Sequence, residues 1–262
     1  MTESTDLPRL HQKLRAAEPA LGVWCVLDST ATIEAISSLD VDWIALDGEH
    51  GLISAGACLA QLQAVCSPVT ALVRLPAADP SLAARVLDAG ADGIIVPRVE
   101  SAEQAAAMVA ACRYPPAGRR GIGPHRAAGY GTRADYFPHA NQRVAVVVQV
   151  ESRAAVDCCA DLAAVEGLTA ALVGPNDLAA SLGHFGDIDH PEVEDSIACI
   201  LRSCQDAGLP AAIYCRSGRE AKARIEQGFA MVNVTSDLGA LVGAIGRELN
   251  NARQPEGANP RP

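Results

Sequence analysis

The chain has 262 residues, 49% of them hydrophobic and 20% charged, and a formal net charge of −10. A chain of this length can bury a continuous core as one large domain, and its acidity disfavours nucleic acid and anionic membrane surfaces as partners. The opening stretch MTESTDLPRLHQKLRAAEP lacks an apolar h-region, and no apolar run nears the roughly 18 residues of a membrane span, so a cytoplasmic protein is expected.

Short β-type runs alternate with Ala- and Leu-rich helical stretches along the whole chain. The runs are LGVWCVL (21–27), VDWIALD (41–47), VTALVRL (69–75), DGIIVP (92–97), RVAVVVQVE (143–151), LTAALVG (168–174), PAAIYC (210–215) and AMVNVT (230–235). Eight such units in one chain of this length predict an α/β fold, a single-domain (β/α)8 TIM barrel over residues 1–252. Gly90 and Gly228 fit helix ends that lead within a few residues into strands. A doubly wound sheet would carry a Gly-rich turn after its first strand, where LDSTAT stands instead. The connection between the fourth and fifth runs is out of scale. It holds a helix and then a Pro/Gly/Arg-rich loop from Arg113 to about Arg133, and loops of this length are usually functional, so part of it is expected to cover the barrel mouth. The last ten residues, 253–262, read as a disordered tail.

In a barrel the active groups stand where strands end. In chain order those positions hold Asp47, Glu49 and His50, then Arg74, then Pro97 and Arg98, then Gln149 and Glu151, then Asp177 in GPNDL. Glu151 and Asp177 follow adjacent strands and can share one divalent cation, with water and substrate oxygens completing its shell. Helix capping by Asp177 and a salt bridge from Glu151 to Arg153 or Arg74 are the alternatives. His50 beside Asp47 suits a general base whose tautomer a carboxylate sets, or a plain loop histidine. His11 reads as a surface residue, and the histidines at 125, 139, 184 and 190 are weaker candidates for the chemistry. Arg74 interrupts an apolar strand and needs an anionic partner, either substrate or the carboxylate cluster. The amides of GPND at a helix start suit a carboxylate ligand. The only lysines are Lys13 and Lys222, neither at a strand end, which leaves Schiff-base chemistry without a nucleophile. The nine cysteines include no C-x-x-C pair and read as small buried hydrophobes.

The blocks DWIALDGEHG, VRLPAADPSLAARVLDAGADGIIVPRVESAEQA, RYPPAGRRGIG, VVQVESRAAVD and VEGLTAALVGPNDLAASLGHFGDIDHPEV resemble, in that order, the signature blocks of the HpcH/HpaI aldolase family over about residues 21–244. The resemblance implies a TIM-barrel lyase that reversibly cleaves 4-hydroxy-2-oxo acids to pyruvate, or a close 2-oxo acid, and an aldehyde through a metal-stabilised enolate. It implies Mg²⁺, Mn²⁺ or Co²⁺ held by Glu151 and Asp177. Arg74 would steady the enolate, His50 with Asp47 would move the proton, and Gln149, Gly174, Pro175 and Asn176 would bind substrate, with Glu49 supporting the metal from behind. A homohexamer that exchanges C-terminal helices is implied too. The loop after GIG departs from the family pattern and supplies Arg126 and Tyr130, which bears on the aldehyde. Two other functions are weighed beside this one. An acyl-CoA thioester lyase of the same superfamily would need a basic CoA-binding surface that a lysine-poor chain offers poorly. A non-catalytic keto-acid- or metal-binding barrel would not need the full charged set.

Overall fold

The structure, a computed structural model, describes residues 7–51, 58–123 and 125–253. All eight predicted strands form, and they close into one parallel barrel in chain order: β1 (Ala20–Cys25), β2 (Trp43–Asp47), β3 (Thr70–Arg74), β4 (Gly93–Val96), β5 (Ala145–Val150), β6 (Ala170–Val173), β7 (Ala211–Ile213) and β8 (Met231–Ser236). Each strand is short because it need only cross the barrel wall. The β-branched and Leu residues between inward positions, such as Ile44, Val73, Ile94, Val146 and Val148, pack outward against the helices in the larger core.

Strand residues alternate between the two faces, which divides the lumen by height. Its lower part is apolar, with Ala20, Trp43, Ala45, Leu72, Ala145, Val147 and Ala170 in one buried cluster. Gly22 leaves room for the Trp43 indole, since a Cβ at Gly22 would stand 2.1 Å from that ring. The floor is closed by the first helix, Arg9–Arg15, whose fully buried Leu10 joins the lumen cluster and donates its N–H to Thr70 Oγ1 at 2.9 Å. One step further up the same inward rows stand Asp47, two residues beyond Ala45, Arg74 beyond Leu72, and Gln149 beyond Val147. The lumen therefore changes from hydrocarbon to charge within one pleat. The register sets Asp47 directly against Arg74 on the neighbouring strand.

Three expectations are corrected. His11 is half-buried rather than on the surface; its Nδ1 has no hydrogen-bond partner, and burial beside Arg113, Arg15 and Arg143 lowers its pKa to about 4. The loop after Arg113 does not cover the mouth. The helix Ala102–Cys112 starts just after β4 and runs back down the barrel, so the loop that leaves it lies at the opposite end. There Arg120 pairs with Asp88 at 2.7 Å, Arg113 donates to Gly167 O at 3.1 Å, and Arg126 donates to Ala89 O and Leu62 O. All four partners sit in or at the end of helices and turns that lead into strands. A small satellite core of Tyr114, Ala128, Tyr136 and Ala140 holds the segment there. Finally, the last helix is Asp237–Arg253, so the first residue of the expected tail is helical; residues 254–262 lie outside the described residues.

Candidate active site

A cavity of 260 Å³ opens at the C-terminal ends of the strands, lined by Trp24, Asp47, His50, Arg74, Gln149, Gly174, Pro175, Asn176, Asp177, Tyr214, Ser236 and Leu238 among others. A larger cavity of 570 Å³ lies at the other end, between the first helix and the long loop. Two of its arginines are engaged structurally, Arg9 with Asp42 and Arg126 with backbone carbonyls. The site built from the inward strand ends is the smaller one.

Asp47 is 1% exposed, and every bond it makes positions something. Its carboxylate receives Arg74 Nε at 2.9 Å and Nη2 at 2.5 Å in a bidentate pair, the Trp24 indole N–H at 3.1 Å, and the backbone N–H groups of Glu49 and His50 at 3.0 and 3.1 Å. Burial alone would raise its pKa, but these donors, Arg74 foremost, hold it below the usual carboxylate range. What Asp47 takes from His50 is the backbone amide. The expected carboxylate–imidazole pairing is thus replaced by a carboxylate–guanidinium pairing, and the His50 ring stands exposed at the cavity rim.

Arg74 is held on three sides. Besides Asp47 it meets Glu49 Oε2 through Nη1 at 3.0 Å, and its guanidinium lies 5.0 Å from the Trp24 ring centroid. A guanidinium has five N–H groups; three are used here, so two remain to donate to an oxygen in the cavity. Glu49 in turn meets Arg98 at 3.1 Å, so it braces two arginines. Arg98 has φ +52°, the left-handed region. Its backbone N–H donates to Glu151 Oε1 at 2.8 Å and its side chain to Pro76 O at 2.9 Å.

Glu151 is buried, and its second oxygen accepts Gln149 Nε2 at 2.6 Å. Burial, with the negative charge of Asp177 and Glu49 adding to it, pushes its pKa up to about 7 against the pull of the Arg98 amide and Arg74. Asp177 stands in the first turn of the helix Pro175–Ser181; the N-cap is Gly174, not Asp177. Gly174 is required by close approach, since a Cβ there would stand 2.5 Å from Glu151 Oε2 and 3.4 Å from Gln149 Nε2. Because Pro175 has no N–H, the first amides this turn offers an anion are those of Asn176 and Asp177.

The donor set fits a hard dication. Asp177 lines the cavity, and Glu151 is buried behind its wall residues Gln149 and Gly174, close enough for the charge of Asp177 to disfavour its anion without a cation; Gln149 Oε1 is a buried acceptor with no partner, suited to a water or a substrate hydroxyl. The described residues also hold a three-residue group of metal-ligating type, but elsewhere: His184, His190 and Glu192.

Trp24, Tyr214, Ser236 and Leu238 line the cavity without having been expected there. Strand parity carried the signal for two of them, since Trp24 and Tyr214 each stand two residues beyond an inward-facing small residue, Gly22 and Ala212. The two lysines pair with Glu18 and Glu226, and neither lines the cavity. All nine cysteines are free and six are buried; burial raises the thiol pKa of Cys58 and Cys112 to about 11.

The model of the family described as HpcH/HpaI aldolase/citrate lyase matches residues 20–244. A protein of Klebsiella pneumoniae named 5-keto-4-deoxy-D-glucarate aldolase is 40% identical over 86% of this chain and 89% of its own length. One of Paraburkholderia phytofirmans named hydroxypyruvate/pyruvate aldolase is 37% identical over 95% and 99%. The crystal structure of an HpcH/HpaI aldolase/citrate lyase family protein from Burkholderia cenocepacia superposes with a TM-score of 0.91 at 38% identity, covering 94% of this chain and all of that one.

Proposed function

The chain belongs to the HpcH/HpaI aldolase/citrate lyase family, and from that membership we propose that it is a divalent-metal-dependent aldolase acting on 4-hydroxy-2-oxo acids. The products are pyruvate, or a close 2-oxo acid such as hydroxypyruvate, and an aldehyde. The observation that carries the proposal is the pre-set Arg74. Bidentate to Asp47 and braced by Glu49, it keeps two N–H groups for an oxygen in a cavity lined by Asp177, with Glu151 directly behind its wall residues Gln149 and Gly174.

Carbon–carbon cleavage leaves an enolate, and the ordinary acidity of a methyl ketone is too low to form one at neutral pH. Glu151 and Asp177 would hold Mg²⁺, Mn²⁺ or Co²⁺, which supplies Lewis acidity toward the 2-oxo acid. Arg74 donates to the keto oxygen as its charge grows. Its position costs little at that moment, because Asp47, Glu49 and Trp24 have already fixed it. His50, exposed at the rim with its backbone tied to Asp47, takes and returns the proton. The first-turn amides of Asn176 and Asp177 bind the substrate carboxylate, with Gly174 and Pro175 shaping that wall. Gln149 orients Glu151 and offers Oε1 to a hydroxyl. At 260 Å³ the cavity falls just below the roughly 300–1,000 Å³ of most ligand sites, which favours a small oxo acid.

No described helix is long and apolar enough to cross a membrane, and the enzyme is proposed to work in the cytoplasm. The last helix exposes Leu238, Leu241, Val242, Ile245 and Leu249, a row that supports assembly into a homo-oligomer, a hexamer by family resemblance.

The test is exchange of the pyruvate methyl protons in D₂O, followed by proton NMR with Mg²⁺ and again with excess chelator. Metal-dependent exchange is expected, with the His50→Ala variant slower by ~10²-fold or more at unchanged metal affinity. Undiminished exchange in chelator would remove the metal from the chemistry, and wild-type exchange in the variant would remove His50.

A further inference from the structure

A second group of ligating side chains lies on the same face of the barrel but outside the cavity. The segment 182–190 joins the helix Pro175–Ser181 to the helix Pro191–Ala207. It sits at the strand C-terminal end, where Asp189 pairs with Arg216 after β7 at 3.2 Å and Ser181 accepts the N–H of Arg153 after β5 at 3.0 Å. There the ligating atoms of His184, His190 and Glu192 lie within 4.8 Å of one another. We propose that these three residues form a binding site for a borderline transition-metal dication of the Zn²⁺ class, separate from the carboxylate pair in the mouth.

The first support is the donor chemistry. Two imidazoles and one carboxylate make a borderline-soft set, suited to Zn²⁺, Co²⁺ or Ni²⁺ and poorly suited to Mg²⁺, whereas the pair proposed to hold the ion at the mouth, Glu151 and Asp177, offers carboxylate oxygens alone. The second is that the carboxylate is already aimed. Glu192 Oε1 is held by Arg153 at 2.7 Å while Oε2 faces His184 Nε2 at 2.7 Å. A ligating carboxylate fixed from behind by a hydrogen bond is the usual outer arrangement of a metal site. The third is that His184 Nε2 and Glu192 Oε2 already face each other, so an ion can bond both in exchange for the hydrogen bond they share once the two atoms draw slightly apart.

The stacking of the two rings shows what binding requires. The imidazoles of His184 and His190 lie face to face, with centroids 3.5 Å apart and planes 16° from parallel. Parallel rings send their lone pairs side by side, and a tetrahedral shell with metal–nitrogen bonds near 2.0–2.1 Å brings ligand atoms to about 3.3 Å of one another, so at least one ring must turn. His184 has the freedom, because Gly183 and Gly186 flank it at φ +91° and +83° with open space around each. His190 is the more constrained ring, for its Nδ1 accepts the N–H of Glu192 at 3.2 Å as the N-cap of the following helix. Loading through Nδ1 gives up that cap, while loading through Nε2 moves the ring proton to Nδ1, so either route competes with the cap. The ion then ties the 182–190 segment to the helix behind it.

The experiment is a Zn²⁺ titration of the chelator-stripped full chain, following imidazole nitrogen and ring-proton NMR signals and counting bound ion by equilibrium dialysis. His184→Gln and His190→Asn assign the signals, and asparagine retains a capping side chain at the helix start. The rings of His184 and His190 are expected to shift together, to do so equally in Asp177→Asn, and to lose one bound Zn²⁺ in His184→Gln. Rings that stay unmoved at saturating Zn²⁺, an unchanged stoichiometry in His184→Gln, or a response that disappears with Asp177→Asn would each overturn the site. Failure here leaves the aldolase proposal untouched, since that rests on exchange at the mouth.

Discussion

Glu151 is the side chain whose titration reports most directly on the mouth. In the metal-free fold its proton is held up to about pH 7, against 4.5 for an unperturbed carboxyl. Between those values the native state binds more protons than the unfolded chain, so this group lowers the stability of the metal-free protein as pH rises through that window. A dication needs the anion. Mn²⁺ affinity is therefore expected to rise about tenfold per pH unit up to about pH 7 and then level, with about one proton released per ion on the acid side. Calorimetry in buffers of different ionisation heat measures both, and a flat affinity would separate Glu151 from the ion. The positions of Glu151, Arg74 and Asp47 were legible from the sequence because each follows an apolar strand run. The partner of Asp47 was not, since its neighbour in sequence is His50 and its neighbour across the register is Arg74. Only pairing of β2 with β3 decides between them.

The elements that bear the chemistry and those that close the fold stand at opposite ends of the strands. The helix Arg9–Arg15 matters through Leu10, fully buried under the lumen. Leu10→Ala is expected to cost about 2–5 kcal/mol of stability, the range for a cavity left in a packed core, with the rate of pyruvate exchange per folded molecule unchanged. Urea unfolding read beside the NMR exchange assay measures the two, and a fall in exchange equal to the fall in stability would show that floor and mouth are coupled. The strands and their order were legible because eight apolar runs alternate with helices. The length of the long loop suggests a cover for the mouth, yet length does not fix the end at which a loop lies. Chain order decides it instead: a helix after a strand returns to the bottom, and the residues beyond that helix start there. Arg120, buried against Asp88 and 4.6 Å from the Tyr114 ring centroid, anchors the loop at that end.

At the scale of the whole molecule, the net charge of −10 contrasts with the apolar row on the last helix. Leu238, Leu241, Val242, Ile245 and Leu249 recur at helical spacing and are 44–62% exposed, a stripe of the kind that marks an interface. A double substitution, Leu241→Asp with Ile245→Asp, is expected to lower the mass measured by light scattering from that of the proposed homo-oligomer toward smaller species. An unchanged mass would place the interface elsewhere. The apolar spacing was legible in LGALVGAIGREL, but an ordinary helix packed on the barrel reads the same, and only the exposure of these side chains in the folded chain distinguishes the two.

Among the described residues three without glycine's freedom adopt positive φ: Ala17, Arg98 and Tyr130. Such a conformation costs on the order of 1–3 kcal/mol at each position, which makes all three attractive to an engineer seeking a sturdier barrel by glycine replacement. They are not equivalent targets. Ala17 and Tyr130 lie at the floor end, away from the cavity, and relaxing them touches none of the groups at the mouth. Arg98 turns its amide toward Glu151 and its guanidinium toward Glu49 by virtue of that same turn. Thermostabilisation by strain relief would therefore divide this molecule into two zones, one open to improvement and one where added robustness would be taken from the reaction.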